Sequence, residues 1–331
     1  MKNVLFATTA LVATAFAGSA YADAHMSVGL SGGVKAGYND DIEGGLFGDF
    51  NIDVTGKWEG DGYTLEVKFG GDADFDETGA DGATWDDNAT FTLTTPVGEL
   101  KVGDLDDKGA SERFYADREG MADDVFNDDG NDSISWHGDV GDFGYAISTP
   151  VDGDDENWSI GLGGSFGVVS FGIGYDNVAS GDATSAVSVD FDAGVADIGL
   201  SYISKGGDTS FGAVASAEVS AGLTLGAFYA QNGGAGDEDK YGVLVDYVNG
   251  PLTVGVDFTA GETSEAEIDV VYDAGVASIQ LGYDEGSDGG YIGAVVPLND
   301  YVDVIAAYAE YDEAGDYEFK QGTSLYVTAS F

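Results

Sequence analysis

The sequence predicts an all-β protein, a transmembrane antiparallel β-barrel with an even number of strands. Three observations predict it. Apolar and small polar residues alternate with period two along most of the chain, tight turns rich in Gly, Asn and Asp recur, and longer acidic stretches separate the resulting hairpins. Such alternation is typical of strands whose two faces meet different environments.

Nine tight turns give a count of the strands. Together with a first and a last strand they predict 20 strands, each pair forming a hairpin. The turns lie at residues 59–62, 96–98, 139–142, 166–167, 193–195, 221–222, 249–251, 274–276 and 298–300. At the opposite end, longer polar stretches are expected to form external loops, among them residues 71–87, 151–157, 232–240 and 312–321.

The apolar faces indicate lipid as their environment. They carry almost no charge, and aromatic residues concentrate at strand ends, as interfacial girdles require. The opposite faces are small or acidic, which suits a wet lumen better than a packed core. Candidates for inward carboxylates are Asp190, Asp246, Asp257, Asp269 and Asp303. A soluble β-sandwich, in which the apolar face meets a second sheet, is the alternative.

The first 22 residues have the pattern of a signal peptide. A basic start at Met1–Asn3 precedes an apolar stretch from Val4 to Ala17, and Ala20-Tyr21-Ala22 supplies a small-x-small cleavage pattern. We expect cleavage after Ala22 and a single exported domain over residues 23–331. A membrane anchor is the alternative, but the stretch is shorter than the ~20 residues of a spanning helix.

The composition excludes several classes of function. The 331 residues include 11 Lys and Arg against 61 Asp and Glu, for a formal net charge of -50, with no Cys and two His. This charge repels phosphate backbones, so we expect no nucleic-acid partner. Thiolate chemistry is absent, and two His leave little material for a metal site or a catalytic triad. An enzyme would need a nucleophile and a base on neighbouring inward positions, and His137 has no such partner in the pattern.

The end of the chain supplies a more specific indication. Leu325, Val327 and Ala329 alternate up to Phe331, and a terminal Phe on an amphipathic strand resembles the assembly signal of bacterial outer-membrane barrels. With Leu30–Gly37 as a first strand and Leu100–Asp106 before a long loop, the chain resembles the Gram-negative general diffusion porins, particularly those of alphaproteobacteria.

The resemblance implies a trimer of barrels whose third external loop folds into the lumen. It also implies about 16 strands, fewer than the turns predict, so the sequence leaves a range of 16 to 20.

The stretch Asp106–Asp132 matches the third loop in position and length. We expect it to form an acidic constriction, with an external acidic loop as the alternative; Ala110–Ala122 could include a short helix. The expected constriction residues are Asp106, Asp107, Glu112, Asp117, Glu119, Asp123 and Asp124.

Basic residues are few, and their positions are informative. By parity, four lysines share the inward face of early strands: Lys35, Lys57, Lys68 and Lys101. A basic wall opposite an acidic loop would set up a transverse field that filters ions; lysines that merely line a solvated lumen are the alternative. Arg113 and Arg118 lie within the acidic loop, and we interpret them as salt-bridge partners that hold its shape, with a binding site as the alternative.

The acidic stretch after residue 71 raises the question of calcium. Asp72, Asp74 and Asp76 alternate ahead of Glu77 and Asp81, which resembles the start of a calcium-binding loop without full EF-hand spacing. Solvated external loops are the alternative reading. No other cofactor is expected.

These expectations combine into one function. We predict an outer-membrane channel of a Gram-negative bacterium, through which small hydrophilic solutes and ions diffuse passively with a preference for cations. Its expected partners are outer-membrane lipid, lipopolysaccharide and further copies of the chain in a homotrimer. The alternative from another class is a soluble exported acidic β-protein that binds calcium or a surface ligand.

Overall fold

The computed structural model describes residues 25–41, 45–76, 79–80, 84–85, 89–103, 109–121, 133–151, 157–178, 181–233, 238–261, 264–311, 314–315 and 319–331. Within these ranges all regular structure is β, in one antiparallel sheet. No helix among the described residues is long and apolar enough to cross a membrane. The predicted signal peptide, residues 1–22, lies outside the described residues.

The sheet contains 22 strand segments. In chain order they are β1 (His25–Asn39), β2 (Leu46–Gly60), β3 (Tyr63–Asp76), β4 (Gly79–Ala80), β5 (Thr84–Trp85), β6 (Thr90–Thr95), β7 (Gly98–Gly103), β8 (Ser133–Val140), β9 (Phe143–Pro150), β10 (Trp158–Phe166), β11 (Val169–Asn177), β12 (Thr184–Asp192), β13 (Asp197–Lys205), β14 (Asp208–Ser220), β15 (Leu223–Gln231), β16 (Lys240–Asn249), β17 (Leu252–Ala260), β18 (Ser264–Asp273), β19 (Ser278–Asp284), β20 (Gly289–Asn299), β21 (Val302–Ala309) and β22 (Gly322–Ser330).

The sheet closes into a barrel because its first and last strands pair. β1 pairs with β22 from Gly33 opposite Ser330 to Asn39 opposite Ser324, and Gly32 and Phe331 exchange two backbone hydrogen bonds of 3.1 Å. The short segments β4 and β5 pair with β3 at successive levels beyond β6, so these three segments act as one barrel strand. Over the described ranges the closed barrel therefore has 20 strands and no unpaired edge.

The predicted fold class is confirmed, and the turn count gives the correct strand number. The value of about 16 strands implied by the resemblance is wrong for this chain. All nine predicted turns join neighbouring strands, from β2–β3 to β20–β21. The physical reason is strand length: β8 to β13 have only 8 or 9 residues each, so the chain holds more hairpins. At the β2–β3 turn, Asp61 and Gly62 have φ of 52° and 81°, as a type I′ turn requires.

The alternation separates the two faces of the barrel wall. One row of paired residues, running across β10 to β13, is Leu162, Ile173, Val187 and Tyr202, and all four are exposed. The adjacent row is Gly163, Gly172, Ser188 and Ser201, of which both serines are buried. We call the first face outer and the second inner. An exposed apolar row of this kind is unfavourable in water and favourable in lipid, and no second sheet covers it within the described residues.

Two expectations about the loops are corrected. The described part of the long third loop, residues 109–121, contains turns and no helix, so the short helix considered for Ala110–Ala122 is absent from that part. The stretch 312–321, expected to be external, has Ala314 and Phe319 fully buried. In both cases contacts with the inner face of the barrel replace a local helix or solvent.

Candidate functional site

Residues 109–121, which we call the inserted loop, lie on the inner face of the barrel. The backbone N–H of Ala110 donates to Ser148 Oγ at 2.8 Å, and that of Ala116 donates to Ser188 Oγ at 3.1 Å. Ser201 Oγ in turn donates to the carbonyl of Ala116 at 2.5 Å. These serines belong to the inner face of β9, β12 and β13. The inward direction expected for the third loop is therefore confirmed for its described part.

Glycines on the inner wall make room for the inserted loop. A Cβ added at Gly161 would lie 1.9 Å from the Ala110 carbonyl oxygen, and one at Gly172 would lie 1.8 Å from that of Phe114. At Gly163 the nearest atom of the Phe114 ring would be 2.6 Å away. No side chain fits at these distances, so the alternation of Gly with apolar residues in β10 and β11 encodes both a strand and a seat for the loop.

Arg118 anchors the loop to the wall. Its side chain is only 9% exposed, and its Nη2 lies 2.9 Å from Asp190 Oδ1 on β12. The same nitrogen donates to the carbonyls of Val189 at 3.4 Å and Leu200 at 3.5 Å. A charge-assisted contact of this kind is stronger than a neutral hydrogen bond. The sequence indicated a shape-holding ion pair within the loop, whereas this pair joins the loop to the barrel; Arg113 is exposed.

The predicted constriction residues are only partly within the described ranges. On the inserted loop, Glu112 is half-buried while Asp117 and Glu119 are exposed. The pKa of the Tyr115 hydroxyl is raised, mainly because the group is buried and secondly because the Asp117 carboxylate lies nearby. The hydroxyl therefore stays neutral. The remaining predicted residues, Asp106, Asp107, Asp123 and Asp124, lie outside the described residues.

The four predicted lysines lie on the inner face, and each has an acidic neighbour. Lys57 Nζ is 2.7 Å from Glu59 Oε1, and Lys68 Nζ is 3.9 Å from Asp53 Oδ1. Lys35 stands opposite Asp49 in the β1–β2 register, and Lys101 shares its strand and face with Glu99. The Lys57 and Lys68 side chains are 39% and 44% exposed, as a wet lumen requires. The wall that carries these lysines is consequently not net basic.

A second acidic surface lines β16 to β19, and we call it the acidic arc. In one row Asp257 stands opposite Glu267, which stands opposite Asp284; in the next row Asp246 and Asp269 flank Gly255. Like charges directly opposite each other destabilise a sheet, so the arc requires water and counter-ions. Parity already indicated Asp246, Asp257 and Asp269 as inward. Glu267 and Asp284 have the same parity and were missed.

The last two predicted sites remain predictions. Phe331 ends the chain in backbone hydrogen bonds with Gly32, which is compatible with an assembly signal. Asp72 lies in β3, while the side chains of Asp74 and Asp76 lie outside the described part of the chain. Among the residues that the structure describes, no three His, Asp or Glu side chains are arranged to hold a metal ion. Calcium binding at Asp72, Asp74 and Asp76 therefore stays a prediction.

A closed barrel with an apolar outer face, a polar inner face and a loop inserted into its lumen is the architecture of an outer-membrane channel. The family model described as Gram-negative porin matches residues 7–331, and the chain belongs to this family. The protein is thus an outer-membrane, multi-pass porin that forms a channel.

Solved structures to which this chain is similar include engineered variants of the Rhodopseudomonas blastica porin. A triple mutant of it is 16% identical, with a TM-score of 0.44, over 92% of this chain and 100% of that chain. A further mutant of the same porin is 15% identical, with a TM-score of 0.47 and the same coverage. A search of curated proteins found no match.

Proposed function

We propose that this porin is a cation-preferring channel for the passive diffusion of small hydrophilic solutes and ions. The observation that supports the preference most directly is the acidic arc on β16 to β19, where no Lys or Arg stands opposite any of its carboxylates in the strand register. A lumen lined by one sign of charge concentrates counter-ions, and a narrow passage is only weakly screened by salt.

The lysines do not reverse this field. Lys57 and Lys68 lie beside Glu59 and Asp53, and exposed pairs of this kind are nearly neutral at a distance. Lys35 has Asp49 across the β1–β2 register. A cation that crosses the lumen therefore meets compensated charges on the early strands and uncompensated carboxylates on the acidic arc. This asymmetry favours cations over anions at every level that the arc spans.

Reversal potentials in planar bilayers test the proposal. Under a tenfold KCl gradient, an ideally selective cation channel gives about 59 mV, and we expect the same sign with a smaller magnitude. Asp257→Asn with Glu267→Gln should lower that value. The matched control is Asp61→Asn with Asp142→Asn, which removes two carboxylates from exposed turns outside the lumen. Anion preference of the unchanged protein would refute the proposal.

We also propose a homotrimer whose outer faces contact outer-membrane lipid and lipopolysaccharide. Family membership supports the assembly, and the exposed apolar row across β10 to β13 supports the lipid contact. Chemical cross-linking in detergent, followed by denaturing electrophoresis, tests the stoichiometry. A trimer ladder is expected, and a protein that stays monomeric at all cross-linker concentrations would contradict the assembly.

A further inference from the structure

A second part of the chain enters the barrel, near its C-terminus. We call Ala314, Gly315 and Phe319 the second insert. Ala314 and Phe319 exchange two backbone hydrogen bonds, of 3.1 and 2.8 Å, and both residues are 0% exposed. A polar connection between two strands ordinarily remains in solvent. Complete burial of this pair shows that the connection folds back onto the protein.

The second insert packs against the inner face of β20 to β22. A Cβ at Gly293 would lie 2.1 Å from Phe319 Cζ, so only Gly leaves room for the ring. The Tyr291 ring is 5.8 Å from the Phe319 ring, centroid to centroid. Neighbouring outer-face residues of the same strands are exposed, which identifies the packed face as the inner one. The buried cluster around the insert is Phe47, Tyr291, Val295, Ile305, Ala307, Ala309 and Tyr326.

Polar contacts fix the base of the second insert to the barrel. Asn39 Nδ2 donates to the Gln321 carbonyl at 2.7 Å and to Ser324 Oγ at 2.8 Å. Gln321 Nε2 donates to the Glu310 carbonyl at 3.0 Å. These contacts join β1, β21 and β22 where the barrel closes. The insert is therefore part of the folded barrel.

The second insert and the inserted loop reach similar depths. Gly293, which receives Phe319, is four residues from Gly289, where β20 begins on the loop side. Gly172, which receives Phe114, is five residues from Asn177, where β11 ends on the same side. At about 3.3 Å per residue these offsets are roughly 13 and 17 Å along the wall. The two elements occupy different arcs of the barrel at comparable height.

We propose that the second insert is a further determinant of pore size, acting together with the inserted loop. The inserted loop covers the wall from β9 to β15, and the second insert covers β20 to β22 and Phe47 of β2. The acidic arc of β16 to β19 lies between them and remains open to the lumen. Tyr291 links the two regions, because its ring packs on Phe319 and its hydroxyl donates to Asp269 Oδ1. The water path is thus directed along the acidic arc.

Single-channel conductance tests this role, which rests on the channel function but not on cation preference. Phe319→Ala removes the buried ring that packs the second insert against Gly293 on the inner wall, and the conductance step should shift to larger values. The control is Tyr301→Ala, which removes an exposed aromatic ring from the tight turn between β20 and β21 and should leave the step unchanged. Heat-dependent gel mobility verifies that each barrel is folded. An unchanged step in folded Phe319→Ala would overturn the proposal.

A thiol-protection experiment gives a second readout that needs no conductance. The chain has no Cys, so a single introduced thiol reports one position. Ala314→Cys changes few atoms and should react with a charged methanethiosulfonate about tenfold or more slowly than Ser287→Cys, which lies in an exposed turn. Equal rates would overturn the inward packing of the insert. Absence of conductance in the unchanged protein would instead contradict the channel function.

Discussion

Gly172 is the position where the seat of the inserted loop is tested most sharply. Its added Cβ would lie 1.8 Å from the Phe114 carbonyl oxygen, whereas real Cβ contacts stay beyond 3.0 Å, so Gly172→Ala must move that carbonyl by about 1.2 Å. The Cβ emerges from the wall, and the loop is held nearby by Arg118 and Asp190. We therefore expect the loop to move toward the lumen axis and the conductance step to decrease.

The free-energy cost of Gly172→Ala follows from the neighbouring hydrogen bonds. Displacement strains the bonds of Ala116 with Ser188 and Ser201. Each such bond contributes roughly 0.5–1.5 kcal/mol to stability. Weakening both bonds should therefore lower the free energy of unfolding by about 1–3 kcal/mol. Thermal unfolding in detergent and single-channel recording measure the two effects on the same preparation.

Gly255→Ala is the matched control for this prediction. Gly255 also lies on the inner face of a strand, β17, and its added Cβ would meet no atom within 4 Å. We expect Gly255→Ala to change the conductance step and the unfolding temperature much less than Gly172→Ala does. If Gly172→Ala gave the same conductance and thermal stability as Gly255→Ala, the contact between the loop and the wall would be refuted.

Three further predictions concern the anchor, the outer face and pH. Arg118→Met should loosen the inserted loop and raise current noise, because Asp190 and two carbonyls lose their donor; quiet recordings would contradict it. Val187→Arg should destabilise the barrel by about 2–4 kcal/mol if it lies near the bilayer midplane, measured by urea-dependent folding into vesicles, with Val195→Arg in the exposed turn between β12 and β13 as the control. The Thr323 N–H lowers the pKa of Asp40, so its stabilising contribution is lost as the pH falls through that lowered pKa. Asp40→Asn should therefore reduce the loss of stability between pH 5 and pH 2, and an unchanged pH profile would contradict the contact.

The sequence was sufficient for the wall of the barrel because the wall is local. Alternation assigns a face to each residue, and each of the nine turns with Gly, Asn or Asp adds one hairpin, so both faces and all 20 strands follow from neighbours along the chain. Parity also places Glu59 on the same face as Lys57, two residues away. The pairing of Lys57 with an acidic residue can therefore be predicted from the sequence pattern alone.

The inserted elements are not local, and this explains why the sequence predicted them less well. Ala116 and Ser188 are 72 residues apart, and no periodicity connects them. The direction of the inserted loop came from a family resemblance. The sequence predicts an external loop at the second insert because acidic residues surround Ala314 and Phe319. Gly293, which leaves room for the Phe319 ring, marks the seat of the insert, and this contact becomes apparent only in the folded barrel.

The distribution of charge on the inner face connects stability with selectivity. Lysines on the early strands stand beside carboxylates, which limits both their cost to the fold and their effect on passing ions. Asp257 and Glu267 stand opposite each other, an arrangement that costs stability unless cations or water lie between them. The same free energy that disfavours this pair in an empty lumen favours the entry of a cation. The proposed cation preference therefore rests on the acidic arc rather than on the lysines, and the proposed role of the second insert is to set how close to the arc an ion must pass.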